Sequence, residues 1–212
     1  STRFKPQMHG DFGEGDNRMS VGVRVQESLE WLDRRRAESA LLSICPAVDA
    51  TAQKELGRRG RTAYKQFLES NFPFAFAVIS GVRIEHIRIA YSHPEIALAP
   101  DGTCSLIDIF YHAVRCGLLH TAELPSDLAF TFGDSIGFQS GKLSLPADTI
   151  YATILAVVLS PVNSAETESI NHHLTFRDGT SVPVAALWGK RAWFESELAK
   201  STGSAPQPGQ PE

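Results

Sequence analysis

A spacing of three and four runs through the first third of this chain: Val25, Leu29 and Leu32, then Leu41, Ile44, Cys45, Val48 and Ala52. Residues spaced in this way line one side of an α-helix, and the stripe predicts a long helix beginning near Ser20. Pro46 sits inside the pattern, removes one backbone donor, and is expected to kink or split the helix. The "GRRGR" at 57–61 breaks it. A second helix follows with Tyr64, Phe67 and Leu68 on one face, and Pro73 is expected to end or bend it. The stretch "FAVISGVRIEHIRIAYSH" has apolar spacing that suits either helix or strand. Ser105 is a candidate N-cap for a further helix, with Asp108 in its first turn. Leu106, Ile107, Phe110, Ala113, Val114, Gly117 and Leu118 form the apolar face of that helix.

The second half changes character. "FTFGDSIGFQSGKLSLP" alternates and carries Gly-containing turns, which predicts a β-hairpin at about 129–145. "PADTIYATILAVVLSPVN" reads as an apolar helix that ends before Pro161. Two short strands around an Asp-Gly turn are expected at 172–186, then a closing helix with Trp188, Trp193, Phe194 and Leu198. The fold class is therefore mainly α within α+β: an antiparallel helical bundle with a small C-terminal β-hairpin segment. Residues 1–19, rich in Gly and charge, read as a flexible arm. Residues 20–200 read as one domain, and the Pro/Gly/Ser-rich stretch 201–212 as a disordered tail.

Charge is distributed unevenly. The whole chain carries −4, but residues 1–65 hold twelve Lys and Arg against nine Asp and Glu, leaving −7 for the remainder. The basic excess collects at Arg34, Arg35 and Arg36 and again at Arg58, Arg59 and Arg61, two clusters able to meet phosphates or to form solvated faces. Three scattered cysteines supply neither a disulfide framework nor a zinc site, which fits a reduced cytoplasmic setting. No secretory signal is visible at the start, and the longest apolar run, Ile150–Leu159, is too short to span a bilayer, so no membrane partner is expected.

Chemistry concentrates on "DIFYHAVRCGLLHTAEL". On a regular helix Asp108, His112, Arg115 and Leu119 share one stripe, opposite the apolar face. Asp108 and His112 are four apart, so an acid would orient an imidazole and favour its charged form. Arg115 and His120 are five apart, about 140° on a perfect helix, and converge only if the helix ends or tightens between them. Gly117 eases such a change. Asp49 and Lys54 are within reach of the same site but read as exposed helix residues. The adjacent His172 and His173 point to opposite faces of a strand and make a poor metal pair. No carboxylate cluster calls for a metal, and no cofactor is expected.

"RCGLLH" is an Arg-x4-His element near a helix end in a helical chain. It resembles the HEPN superfamily, whose nucleases carry Arg-x4–6-His. The flanking "SLEWLDRRRAESALLSICPAVDATAQKEL", "FYHAVRCGLLH" and "AVVLSPVN" look similar to prokaryotic HEPN-like proteins, over roughly residues 20–165. Two further matches to the spacing exist, Arg3 to His9 in the arm and Arg88 to His93 before Pro94. Cys116 stands where family nucleases often place a polar residue. The resemblance implies a HEPN-like helical domain and a homodimer with two Arg/His pairs facing a shared cleft. It also implies metal-independent RNA cleavage in a toxin–antitoxin or phage-defence role, with an antitoxin or other protein as partner. Arg115 and His120 would act, His112 and Asp108 would support them, and the two Arg clusters would guide RNA. In that chemistry a ribose 2′-hydroxyl attacks the neighbouring phosphate, histidine moves the proton, and arginine holds the phosphorane charge.

Two other readings stay open. One is a non-catalytic HEPN-like dimer that uses the Arg/His ridge to bind a protein or nucleotide. The other is a structural subunit of a larger complex. Trp188 and Trp193 could stack bases, but core or dimer packing is the simpler reading.

Overall fold

The computed structural model describes residues 20–81, 86–133, 135–166, 172–175 and 181–196, so the expected arm and tail lie outside the described residues. Helices predominate and three small sheets accompany them, a mixed α+β architecture.

Helix α1 (Val21–Asp33) starts where Ser20 Oγ accepts the Val23 amide at 3.1 Å. The predicted long helix is broken earlier than Pro46. Arg35 takes a left-handed conformation at φ 56°, and the Arg36 amide reaches back to the Trp31 carbonyl at 2.9 Å. This is a Schellman-type stop, usually built on glycine. Three arginines in a row carry no breaker signal, which is why spacing alone runs through it. Helix α2 (Ala37–Leu56) then folds back along α1, and Ser28 Oγ donates to the Ala40 carbonyl at 2.9 Å between them.

Pro46 does not break α2. The carbonyl it leaves without a donor belongs to Leu42, which is 36% exposed, on a side of the helix where water can take over. Helix α3 (Arg61–Ser80) likewise continues through Pro73 and stops at Gly81, whose φ of 67° needs glycine's freedom. The break between α2 and α3 falls at Gly57–Gly60, as the sequence predicts.

The ambiguous segment resolves into a short antiparallel pair, β1 (Arg88–Ile89) with β2 (Cys104–Ser105). From β2 the chain enters one continuous helical run. It comprises α4 (Leu106–Asp108), a π-helical stretch over Ile109–Cys116, and α5 (Gly117–Thr121). Ser105 is its N-cap, accepting the Ile107 amide at 3.0 Å.

The hairpin expected at 129–145 is a three-stranded sheet instead. Strands β4 (Gly137–Gln139) and β5 (Lys142–Pro146) form the hairpin, and β3 (Leu128–Thr131) lies on the other side of β5, parallel to it, with Leu128 opposite Leu143. Local alternation gives each strand but not its partner. A parallel neighbour depends on the path between strands rather than on turn chemistry.

Helix α6 (Asp148–Leu159) is buried along nearly its whole length and packs on α3, α2 and α1. It is apolar all round because it has no solvent face. After it, β6 (His173–Thr175) and β7 (Ser181–Pro183) pair antiparallel, while the Asp-Gly turn between them lies outside the described residues. Residues 191–196 are helical, the described part of the predicted closing helix. Trp188 is buried in the core, and Trp193 is 48% exposed.

Candidate functional site

The π-helical stretch decides where the polar side chains of 108–120 go. Its i→i+5 hydrogen bonds widen the turn, so each later side chain is rotated away from the direction that a 100° step gives it. Asp108 and His112, expected to form one ridge with Arg115, do not meet. The Asp108 carboxylate is held by Lys65 Nζ from α3. His112 is turned inward, 5% exposed, with Nδ1 at 3.2 Å from Glu95 Oε2 and with a buried Nε2 that has no hydrogen-bond partner. The wheel assumed a 100° step, and the widened backbone carries His112 off the polar stripe.

Arg115 meets a different partner. Its Nε and Nη2 both donate to Asp49 Oδ2 on α2, at 3.0 and 2.9 Å, and its Nη1 lies 3.9 Å from Cys116 Sγ. The guanidinium is also set over two aromatic rings, 5.3 Å from the centroid of Tyr111 and 5.8 Å from that of Tyr64. These two rings meet edge to face at 5.5 Å, and the Tyr64 hydroxyl donates to Cys45 Sγ at 3.6 Å. The side chain of Arg115 is 18% exposed and that of Asp49 28%. The result is a half-buried cation fixed at Nε by an acid and framed by two phenol rings, with Nη1 the end not held by the carboxylate.

Electrostatics follow from burial. Desolvation disfavours the charged guanidinium, but the Asp49 carboxylate more than offsets it, so Arg115 stays ionised beyond its already high ordinary range. Burial pushes the Cys45 thiol up to about 12, against a lowering from the Tyr64 hydroxyl. Burial also raises the Tyr64 phenol well above its ordinary value. Cys45 is thus an inert thiol, in keeping with its place on the apolar stripe.

His120 lies in the last turn of α5, exposed, with no hydrogen bond or ion pair to another described residue. The helix ends just beyond it, where Ala122 turns left-handed at φ 59°. The Thr121 hydroxyl donates to the Gly117 carbonyl at 2.7 Å. The returning chain lies so close to Gly117 that a Cβ there would stand 2.8 Å from the Glu123 carbonyl oxygen. Only the first of the five steps from Arg115 to His120 is π-helical, so the divergence of about 140° is little reduced within one chain. Arg88 and His93, the other pair with this spacing, are not on a helix. Arg88 lies on β1 with Nε at 2.8 Å from Thr103 Oγ1, and His93 Nδ1 accepts the Glu95 amide in the loop beyond.

The two arginine clusters separate. Helix α2 has 20 residues, about 30 Å of rise, and the clusters sit at its opposite ends. Arg58, Arg59 and Arg61 are exposed at the end nearer Asp49, and the charge of Arg61 reaches the Tyr111 phenol. Arg34, Arg35 and Arg36 are exposed at the far end, with Arg34 over Trp31 at 5.2 Å and Arg35 over Phe132 at 5.3 Å.

Asp49 is the residue that sequence reasoning assigned to solvent. Its signal was present: it follows Val48 directly on the border of the apolar stripe, where an acid calls for a partner. Lys54 serves elsewhere, donating to Asn163 Oδ1 at 3.3 Å and pairing with Glu166 at 3.2 Å. Asn163 Nδ2 donates to Thr51 Oγ1 and to the Val157 carbonyl, both at 2.9 Å, and the Ser160 hydroxyl donates to Glu55 at 2.7 Å. The "SPVN" after α6 therefore ties it to α2.

The fold and site define a mixed α+β protein with one deliberately framed arginine between α2 and the π-containing helix. The chain belongs to the Rv1289 family, whose profile matches residues 20–205. It is similar to Rv1289 of Mycobacterium tuberculosis, 27% identical over 188 residues that cover 83% of this chain and 86% of that protein. The same figures hold for MT1327 of a second M. tuberculosis strain and for Mb1320 of Mycobacterium bovis; all three bear the description uncharacterized protein. No solved structure matches. Among the described residues no helix is long and apolar enough to cross a membrane.

Proposed function

We propose that this protein is a HEPN-like helical-bundle endoribonuclease, metal-independent, that acts as a homodimer. The observation that carries this reading is the Asp49–Arg115 contact: a guanidinium held in one orientation at a protein surface, five residues before an exposed histidine. Such a cation is prepared to meet a phosphorane, because its orientation is fixed before substrate arrives. His120 supplies an exposed imidazole, the side chain most often used for general acid–base work. The two side chains diverge within a chain, so the reading places Arg115 of one chain opposite the partner's His120 in a shared cleft. Arg58, Arg59 and Arg61 lie at the same end of α2 and would steer RNA towards it. Asp108 and His112 hold the helix through Lys65 and Glu95 and take no part in the chemistry. A toxin–antitoxin or phage-defence setting, with a protein inhibitor, belongs to the same proposal.

The test is RNA incubated with the purified protein in excess chelator. Cleavage that leaves 2′,3′-cyclic phosphate ends, and is lost in Arg115→Ala and His120→Ala, supports the proposal. Intact RNA beside a folded protein overturns it. One observation favours a second reading, a non-catalytic dimer that recognises a protein or nucleotide. Asp49 already neutralises Arg115, which weakens its attraction for phosphate. RNA bound without cleavage, with affinity reduced in Arg115→Ala, would mark that case.

A further inference from the structure

Away from Arg115, a cavity of about 470 Å³ opens between α3, the lead into β1, and the start of the helical run. Its apolar floor is Phe72, Ile87, Leu106 and Ile107. Its polar groups are sorted by position. On α3 stands Glu69, whose carboxylate makes no hydrogen bond or ion pair with another described residue. The Glu69 carbonyl is also left without its helical donor, because residue 73 is proline. Both groups are acceptors. Against them, on the β1–β2 side, lie His86, Arg88 and Ser105. Arg88 spends Nε and Nη2 on Thr103, at 2.8 and 3.1 Å, and Nη2 also pairs with Asp101 at 3.9 Å, which leaves Nη1 without a partner among the described residues. Ser105 Oγ accepts the Ile107 amide, so its hydroxyl proton remains available. His86 has no partner among the described residues.

An apolar floor with acceptors on one side and donors on the other suits a molecule that carries both charges beside an apolar body. From this arrangement we infer that the cavity binds a small zwitterion with an apolar body, an α-amino acid with an aromatic or branched aliphatic side chain. The ammonium group goes to Glu69 and the carboxylate to Arg88 Nη1 and the Ser105 hydroxyl. The side chain lies on Phe72 and Leu106. The volume suits such a ligand, since small-molecule sites run from about 300 Å³ upwards. This inference is independent of RNA cleavage.

The test is calorimetric titration of the full chain with L-phenylalanine and L-leucine. Phenethylamine and 3-phenylpropionate serve as probes carrying only one of the two charges. The expected result is saturable binding of an amino acid with Kd of about 1 mM or tighter, with each single-charge probe weaker by at least about tenfold. Glu69→Lys, at an exposed position on α3, is expected to abolish binding of the amino acids and to leave the melting temperature unchanged. Arg88→Gln is expected to weaken binding by at least about tenfold. Absence of saturable binding by both amino acids overturns the inference. So does binding that survives Glu69→Lys, or binding of 3-phenylpropionate as tight as that of L-phenylalanine.

Discussion

Replacing Asp49 by alanine isolates what the site costs to keep. The change leaves the Arg115 guanidinium between Tyr64 and Tyr111 with its Nε and Nη2 unpaired. Removing one partner of a fully buried ion pair costs about 3–5 kcal/mol, and an exposed pair is worth about 0–1 kcal/mol. At 18% and 28% side-chain exposure this pair lies between the two, so the expected loss is about 2 kcal/mol. For a domain of this size that lowers the melting temperature by about 4–8 °C. Urea unfolding of the wild type, Asp49→Ala, Arg115→Met and the double variant supplies the check. Because the single variants each strand a charge and the double variant strands none, the double loss should fall short of the summed singles by about 1–3 kcal/mol. Additive losses, or an Asp49→Ala change below about 0.5 kcal/mol, would show that the contact is incidental and that Arg115 is not held.

Other expectations concern the elements around the site. Cys116 is half-exposed, while Cys45 and Cys104 are buried; a thiol reagent added to native protein at neutral pH should label one cysteine quickly and the other two only on unfolding, as peptide mapping would show. Burial raises the Cys45 thiol from 9.0 to about 12, so its proton is held in the folded state and lost first by the unfolded chain. The stability this contributes is fully present below pH 9 and falls as pH rises from 9 towards 12, which a series of urea titrations would record. Gly117→Ala places a Cβ 2.8 Å from the Glu123 carbonyl oxygen and should cost about 1–3 kcal/mol, measured as a lowered urea midpoint. If RNA is the ligand, replacing Arg58, Arg59 and Arg61 together by alanine should weaken binding and flatten its salt dependence by a log–log slope of about 2. The same change at Arg34, Arg35 and Arg36, at the far end of α2, should do much less.

Much of the fold was legible where one signal dominated. The Gly57–Gly60 break, the Ser105 cap, the end of α6 before Pro161 and the all-apolar α6 followed from local chemistry. Three features did not. The stop between α1 and α2 uses Arg35 in a conformation that sequence assigns to glycine. The parallel pairing of β3 with β5 is a long-range choice that alternation cannot report. The π-helical stretch is the most consequential, because it separates Asp108 from His112 and buries an imidazole that a regular wheel places in solvent. The arginine at the centre of the site was visible as a motif; its partner Asp49, 66 positions away, was visible only as an acid beside an apolar stripe.

The shared-cleft geometry is tested most directly by mixing chains. Arg115→Ala and His120→Ala proteins are each inactive on RNA if both groups act. Unfolded together and refolded at equal concentration, half of their dimers pair one variant with the other, and each such dimer has one intact Arg115–His120 combination across the interface. Recovery of about a quarter of wild-type cleavage, in excess chelator, is the predicted result. A mixture as inactive as its components, beside a wild-type protein that cleaves, would contradict assembly of the site from two chains.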